Sequence, residues 1–162
     1  MARYNTVRLA TYGAPPVEVE RYCAAAIKPG MFCHLDTDGT IIPEDAAGGS
    51  GGASPKLIAI ENTHLGMGIT DDWNDSSQDY QTGDLVTCYH VRSGDKVWCW
   101  LGVGPDANAR IGRQFHAWGA DTGFDGTLLV NNNNPRGIVG TPNENIDNSA
   151  GLVPVRIEVI IL

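Results

Sequence analysis

The stretch Gly83-Asp84-Leu85-Val86-Thr87-Cys88-Tyr89-His90-Val91-Arg92-Ser93-Gly94-Asp95-Lys96-Val97-Trp98-Cys99-Trp100-Leu101 carries the strongest structural signal in the chain. Leu85 to Arg92 and Lys96 to Leu101 are rich in valine, aromatic residues and cysteine, side chains that fit a pleated, half-buried surface. Ser93-Gly94-Asp95 between them is turn chemistry, so the stretch predicts a β-hairpin. Gly83-Asp84-Leu85-Val86-Thr87-Cys88 also matches Gly94-Asp95-Lys96-Val97-Trp98-Cys99 at four of six positions. A short repeat that opens each time on turn residues fits successive strands of a barrel or sandwich.

The same pattern continues outward. Toward the N-terminus, Lys56 to Glu61 reads as a strand, and Met31 to Leu35 and Thr40 to Ile42 read as strands joined by the turn Asp36-Thr37-Asp38-Gly39. Val17 to Ile27 fits a strand by its alternation and a helical turn by Cys23-Ala24-Ala25-Ala26. Gly48-Gly49-Ser50-Gly51-Gly52 is a flexible loop. Toward the C-terminus, Thr127 to Val130 and Gly137 to Gly140 are short strands, with polar loops at Asn131 to Pro135 and Asn143 to Gly151. In the closing segment Val153, Val155, Ile157, Val159 and Ile161 share one face, while Arg156 and Glu158 point the other way. That predicts a half-solvated strand with Pro154 at its end or on an edge. Residues 62–82 form a long polar connection. No long amphipathic helix pattern occurs. The expected fold is all-β: one compact β-barrel or β-sandwich, jelly-roll-like or β-tulip-like, spanning residues 17–162, with long loops and an extended N-terminal arm over residues 1–16.

With 162 residues, 42% of them hydrophobic, the chain is one domain able to build a real core. A net charge of −8 repels phosphates and anionic lipids, which argues against nucleic acid or a membrane as partner. Arg3 and Arg8 make the N-terminal arm locally basic. No segment approaches the roughly 20 apolar residues that span a bilayer. The N-terminus has no apolar signal-peptide core, so synthesis in a cytoplasm is expected.

Candidate chemistry is thin. Cys23, Cys33, Cys88 and Cys99 contain no CxxC pair, which disfavours zinc, and free thiols are expected. A two-residue turn at Ser93-Gly94 would set Cys88 opposite Cys99, and a disulfide there is one possibility weighed against free thiols. Asp36-Thr37-Asp38-Gly39 resembles part of a calcium loop, but its twelfth position is Ala47, so a hairpin turn is the better account. Asp71, Asp72 and Asp75 read as a solvated acidic loop, and Cys88 with His90 is the nearest approach to a nucleophile and base. Trp98 and Trp100 share a strand face, matched by Tyr89 and Val91 across the hairpin. Such aromatics make a core, a protein interface or a sugar platform. No cofactor and no metal are expected, and no residue is assigned a catalytic role.

Ile27-Lys28-Pro29-Gly30-Met31, then Asp38-Gly39-Thr40 and Ala46-Ala47-Gly48-Gly49, resembles the opening of a family of small tailed-phage head proteins. Leu57-Ile58-Ala59-Ile60-Glu61-Asn62, Gly66-Met67-Gly68-Ile69, Tyr80-Gln81-Thr82-Gly83-Asp84-Leu85-Val86, Ser93-Gly94-Asp95-Lys96-Val97 and Ile146-Asp147-Asn148-Ser149-Ala150 continue it in order. The resemblance covers about residues 22–162 and fits less well over Gly104 to Thr122, which is taken as a variable loop. It implies a capsid decoration or cement protein on the outer face of the virion, bound to the major capsid protein as a homodimer or homotrimer. No catalytic residue carries over. On this expectation the arm residues Arg3, Tyr4, Val7, Arg8 and Leu9 reach a neighbouring subunit, and Trp98, Trp100 and Trp118 are further contact candidates. The alternative expectation is a virion-surface adhesin that binds glycans through exposed Tyr89, Trp98 and Trp100.

Overall fold

A computed structural model describes residues 6–11, 17–44, 57–117, 124–130 and 138–162. Within them the chain is all-β. The strands are β1 (Arg8–Ala10), β2 (Glu18–Tyr22), β3 (Phe32–Leu35), β4 (Ile41–Pro43), β5 (Leu57–Ala59), β6 (Leu85–His90), β7 (Lys96–Leu101), β8 (Asn108–Ala109), β9 (Phe115–Ala117), β10 (Leu128–Leu129), β11 (Ile138–Pro142), β12 (Ile146–Asp147) and β13 (Val155–Ile161). One turn of 3-10 helix spans Thr63–Leu65. A six-stranded sheet runs β1-β7-β10-β9-β11-β13, and a five-stranded sheet runs β2-β6-β5-β3-β4. β8 and β12 pair separately.

Both sheets curl. In the six-stranded sheet β13 also pairs with β7, so the pairings return to their start, although the β7–β10 contact is the single pair Leu128 and Leu101. In the five-stranded sheet a parallel bridge from Cys23, just past β2, reaches Ile41 of β4. The hydrophobic core follows this curling. One cluster joins Val97, Cys99, Leu101, Ile157 and Val159 of the larger sheet to Phe32, Ile58 and Tyr89 of the smaller. A second gathers the opposite-face residues Cys33, Leu57, Ala59, Val86 and Cys88 with Cys23, Ile27, Tyr80 and Trp100.

The predicted hairpin is corrected. β6 and β7 exist within the predicted spans, but they pair with different partners and lie in different sheets. The turn explains this. Asp95 N–H donates to the Arg92 carbonyl at 3.0 Å, and Arg92 N–H donates to the Asp95 carboxylate at 2.9 Å. Gly94 and Asp95 then bond Ile161 of β13 (Gly94 N–H to the Ile161 carbonyl, 2.8 Å; Ile161 N–H to the Asp95 carbonyl, 2.9 Å). The corner is thus stitched to the C-terminal strand and not folded back on β6. Cys88 and Cys99 fall in separate clusters, and all four cysteines are free.

The internal repeat is a repeated corner. At Gln81 to Asp84 the aspartate again donates its N–H three residues back (2.9 Å) and accepts from the same residue (2.7 Å). Gly83 and Gly94 hold φ of 91° and 92° at the third position, which L side chains avoid and a type II turn requires.

The terminal strand is not half-solvated. Arg156 is 7% exposed, and β13 lies between β11 and β7. The polar connection from 62 to 82 folds over this outer face. Arg156 donates to the carbonyls of Thr70 (3.0 Å) and Trp98 (3.1 Å), and its guanidinium lies 3.9 Å from the Trp100 ring centre. Lys28 donates to Asp79 at 2.8 Å and to the Asp75 carbonyl at 2.9 Å, both side chains being buried. Trp73 meets Trp100 edge-on at 5.0 Å and Phe124 at 5.5 Å. The turn Lys28-Pro29-Gly30-Met31 supplies the floor: Gly30 has φ of 93°, and a Cβ there would collide with the Arg156 guanidinium.

The rest of the organisation follows the sequence in part: Asn143 to Gly151, expected as a polar loop, contains β12. β3 and β4 form the hairpin expected around Asp36 to Gly39. Glu18–Tyr22 settles the ambiguous segment as strand. Gly104 to Thr122, expected as a loop, contains β8 and β9, and Ala107 and Ala109 in it are fully buried. The glycine-rich loop and Asn131 to Pro135 lie outside the described residues.

Candidate interaction surface

The contact candidates from sequence separate into three groups. Arg3, Tyr4 and Trp118 lie outside the described residues. Val7, Trp98 and Trp100 are 0%, 2% and 0% exposed, which corrects their assignment as contacts: they are core. Trp100 donates its indole N–H to the Pro29 carbonyl at 3.1 Å, and the Val7 carbonyl accepts from Trp98 N–H at 2.8 Å. The arm is corrected in part as well. Arg8–Ala10 pairs with β7, and Val7 N–H donates to Glu61 at 3.1 Å, so residues 6–11 belong to the chain's own sheet. Arg8 stays exposed, 5.8 Å from the Tyr89 ring centre, and Leu9 is half-buried. The sugar platform expected of Tyr89, Trp98 and Trp100 is also corrected, since Tyr89 is 0% exposed.

The remaining candidate groups are engaged by their own loops. Asp72 and Asp75 accept from the backbone of Asn74 and Ser77, and Asp38 accepts from Thr40 N–H. Among the described residues, no three His, Cys, Asp or Glu side chains are grouped so as to hold a metal ion. Cys88 is fully buried. Burial raises the thiols of Cys23 and Cys33 and pushes that of Cys99 up to about 12. A raised thiol holds little thiolate at neutral pH, and thiolate is the reactive form. Ellman titration is therefore expected to count almost no thiol in the folded protein and all four after urea. Rapid reaction of one thiol without unfolding would show an accessible nucleophile.

No protein-family model matches the chain, and no curated protein matches it.

An exposed apolar groove lies beside β2 and β6. Along β2 and β6 the cross-strand pairs Glu18 with Tyr89, Glu20 with Thr87, and Tyr22 with Leu85 share a face. This face begins in the core at Tyr89 and runs out into solvent, leaving Leu85 47% and Tyr22 65% exposed. The 3-10 turn raises a second wall. Asn62 accepts from Leu65 N–H at 3.2 Å, and Gly66 (φ 67°) returns its N–H to Thr63 at 3.1 Å, which leaves Leu65 68% exposed. Between the walls is a groove of about 240 Å³ lined by Glu20, Asn62, Leu65, Asp84, Leu85 and Thr87. Asp84 accepts from Gln81 N–H while its carbonyl accepts from Cys23 N–H, so the corner fixes its direction. Neither lysine nor arginine is among the described lining residues. This surface is not evident in the sequence because Leu65 falls within the long connection between strands, and Leu85 reads as an ordinary strand residue.

Proposed function

We propose that this chain is a structural protein of a tailed-phage virion, a decoration subunit that docks on the outer face of the major capsid protein and stabilises the shell. The ordered motifs from Lys28-Pro29-Gly30 to Ile146-Asp147-Asn148 support the family. The observation that carries the role is the exposed apolar set Tyr22, Leu65 and Leu85, the first and last held on paired strands and Leu65 on a capped turn at the start of the 62–82 connection. Fully burying a leucine-sized side chain contributes about 1.5–3 kcal/mol, so three give a modest contact. Dimers or trimers of the chain would engage several capsomers at once, and avidity multiplies such a contact by about 10²–10⁴. In this account the protein is not an enzyme, and its partners are the shell protein and copies of itself.

The test is co-sedimentation of purified protein with undecorated phage shells. Wild type is expected to pellet with the shells, and Tyr22→Asp/Leu85→Asp is expected to lose at least about tenfold in occupancy while remaining folded, since both positions are exposed. Wild-type protein that stays in the supernatant at every concentration would rule the proposal out.

A further inference from the structure

We propose that Lys28 and Asp79 condense in the folded chain into an isopeptide bond, the Lys28 amine joining the Asp79 side-chain carbonyl carbon as one water leaves. The pair is placed for it. Lys28 Nζ lies 2.9 and 2.8 Å from the two Asp79 carboxylate oxygens. An amine touching both oxygens sits within about 3–3.5 Å of the carbon between them, the separation from which attack begins. Its third proton goes to the Asp75 carbonyl at 2.9 Å, so protein atoms take all three donors of the ammonium. The backbone on both sides is fixed: Asp79 N–H donates to the Ser76 carbonyl at 3.1 Å, and Met31 N–H to the Lys28 carbonyl at 3.0 Å. The site is also dry. The two side chains are buried, and Trp73 covers the amine from 5.6 Å while meeting Trp100 edge-on.

The step balances without a co-reactant. One ammonium proton passes to the carboxylate, giving a neutral amine beside a carboxylic acid. The nitrogen lone pair attacks the carboxyl carbon and the C–N bond forms. The hydroxyl of the acid then leaves with a second nitrogen proton as water, and the amide keeps the third. Burial raises the Asp79 carboxyl toward the acid form, against the pull of Lys28 and of the Arg156 charge. The product also replaces two ions that are costly to hold out of water with one neutral group. Among the described residues no second carboxylate bonds Lys28, so the proton passes directly within the pair. The bond therefore matures slowly, and freshly folded protein carries the ion pair. Lys96 and Glu158, 3.2 Å apart with the lysine 37% exposed, stay an ion pair because water reaches the amine. The new bond joins residues 51 apart and fastens the 62–82 connection to the turn before β3, a closure that restricts the unfolded chain. It forms whether or not the chain docks on a shell.

Intact mass spectrometry of the full chain, folded for days at neutral pH and then denatured, tests this. Wild type is expected to weigh one water less than its sequence, with tandem fragmentation linking the peptides that carry Lys28 and Asp79. The bridged fraction is expected to unfold at higher urea than fresh protein. Lys28→Arg keeps a cation beside Asp79 but has no amine to release, and is expected to keep its full mass. Wild type that keeps its full mass overturns the proposal, as does a water loss that Lys28→Arg shares. A loss that fragmentation places at Asp38-Gly39 or Asp125-Gly126 also overturns it, because an aspartyl-glycine backbone closes to a succinimide of the same mass. Hydroxylamine opens a succinimide and leaves an isopeptide bond intact. Fragmentation of wild type decides the matter even where Lys28→Arg fails to fold.

Discussion

Trp100→Ala is expected to lower the unfolding free energy by about 3–5 kcal/mol, a large share of the roughly 5–15 kcal/mol that holds a domain of this kind together. Trp100 is fully buried and serves three elements at once. Its ring stacks against the Arg156 guanidinium and takes the edge of Trp73, and its N–H satisfies the Pro29 carbonyl. Truncation leaves a cavity, an unpaired carbonyl and a buried cation without the nearer of its two aromatic faces. Trp100→Phe keeps a smaller aromatic ring and loses the donor, and is expected to cost about 1–3 kcal/mol. Urea titration checks both values. Because Trp73 holds the 62–82 connection through this contact, limited proteolysis of Trp100→Ala is expected to cut that connection first. A penalty under about 1 kcal/mol for the alanine variant would show that the outer face of β7 is solvated.

Asp79→Ala is expected to cost about 3–5 kcal/mol, because it strands the Lys28 ammonium inside the protein. Lys28 and Asp79 are 6% and 8% exposed, and without the carboxylate the ammonium keeps the Asp75 carbonyl and the Trp73 ring 5.6 Å away. Lys28→Met strands the opposite charge and brings a pH dependence. Burial already pushes the Asp79 carboxyl above its usual value near 3.8, outweighing the hydrogen bond and charge of Lys28 that pull it down. Removing Lys28 removes both of its contributions and leaves only the weaker pull of the Arg156 charge against burial. Between about pH 4 and the raised value the folded state then binds more protons than the unfolded state, so stability falls as pH rises and returns as pH drops. Lys28→Met is accordingly expected to be less destabilised at about pH 4 than at about pH 7, and Lys28→Met/Asp79→Leu to cost less than the sum of the single changes. Urea titrations at both pH values check this. A Lys28→Met penalty independent of pH would place the carboxylate in water.

Strand positions were largely legible because a strand writes itself locally. Alternation at Val155, Ile157, Val159 and Ile161, the Asp-Gly turn at Asp38-Gly39 and the corners at Gly83 and Gly94 depend on near neighbours. The candidate surface was not legible. Tyr22, Leu65 and Leu85 come from three distant segments, and their exposure depends on where the core face of β6 runs out.

From the sequence alone came the all-β character, the turn-punctuated strands and an acidic chain without an apolar membrane-spanning run. Tertiary structure alone decided that β6 and β7 part into different sheets, that Arg156 and the two tryptophans are covered, and that residues 6–11 join the larger sheet. The physical reason is range: φ preferences and side-chain alternation act within a few residues. The bonds that decided those outcomes join Gly94 to Ile161, Arg156 to Thr70 and Trp98 to Val7.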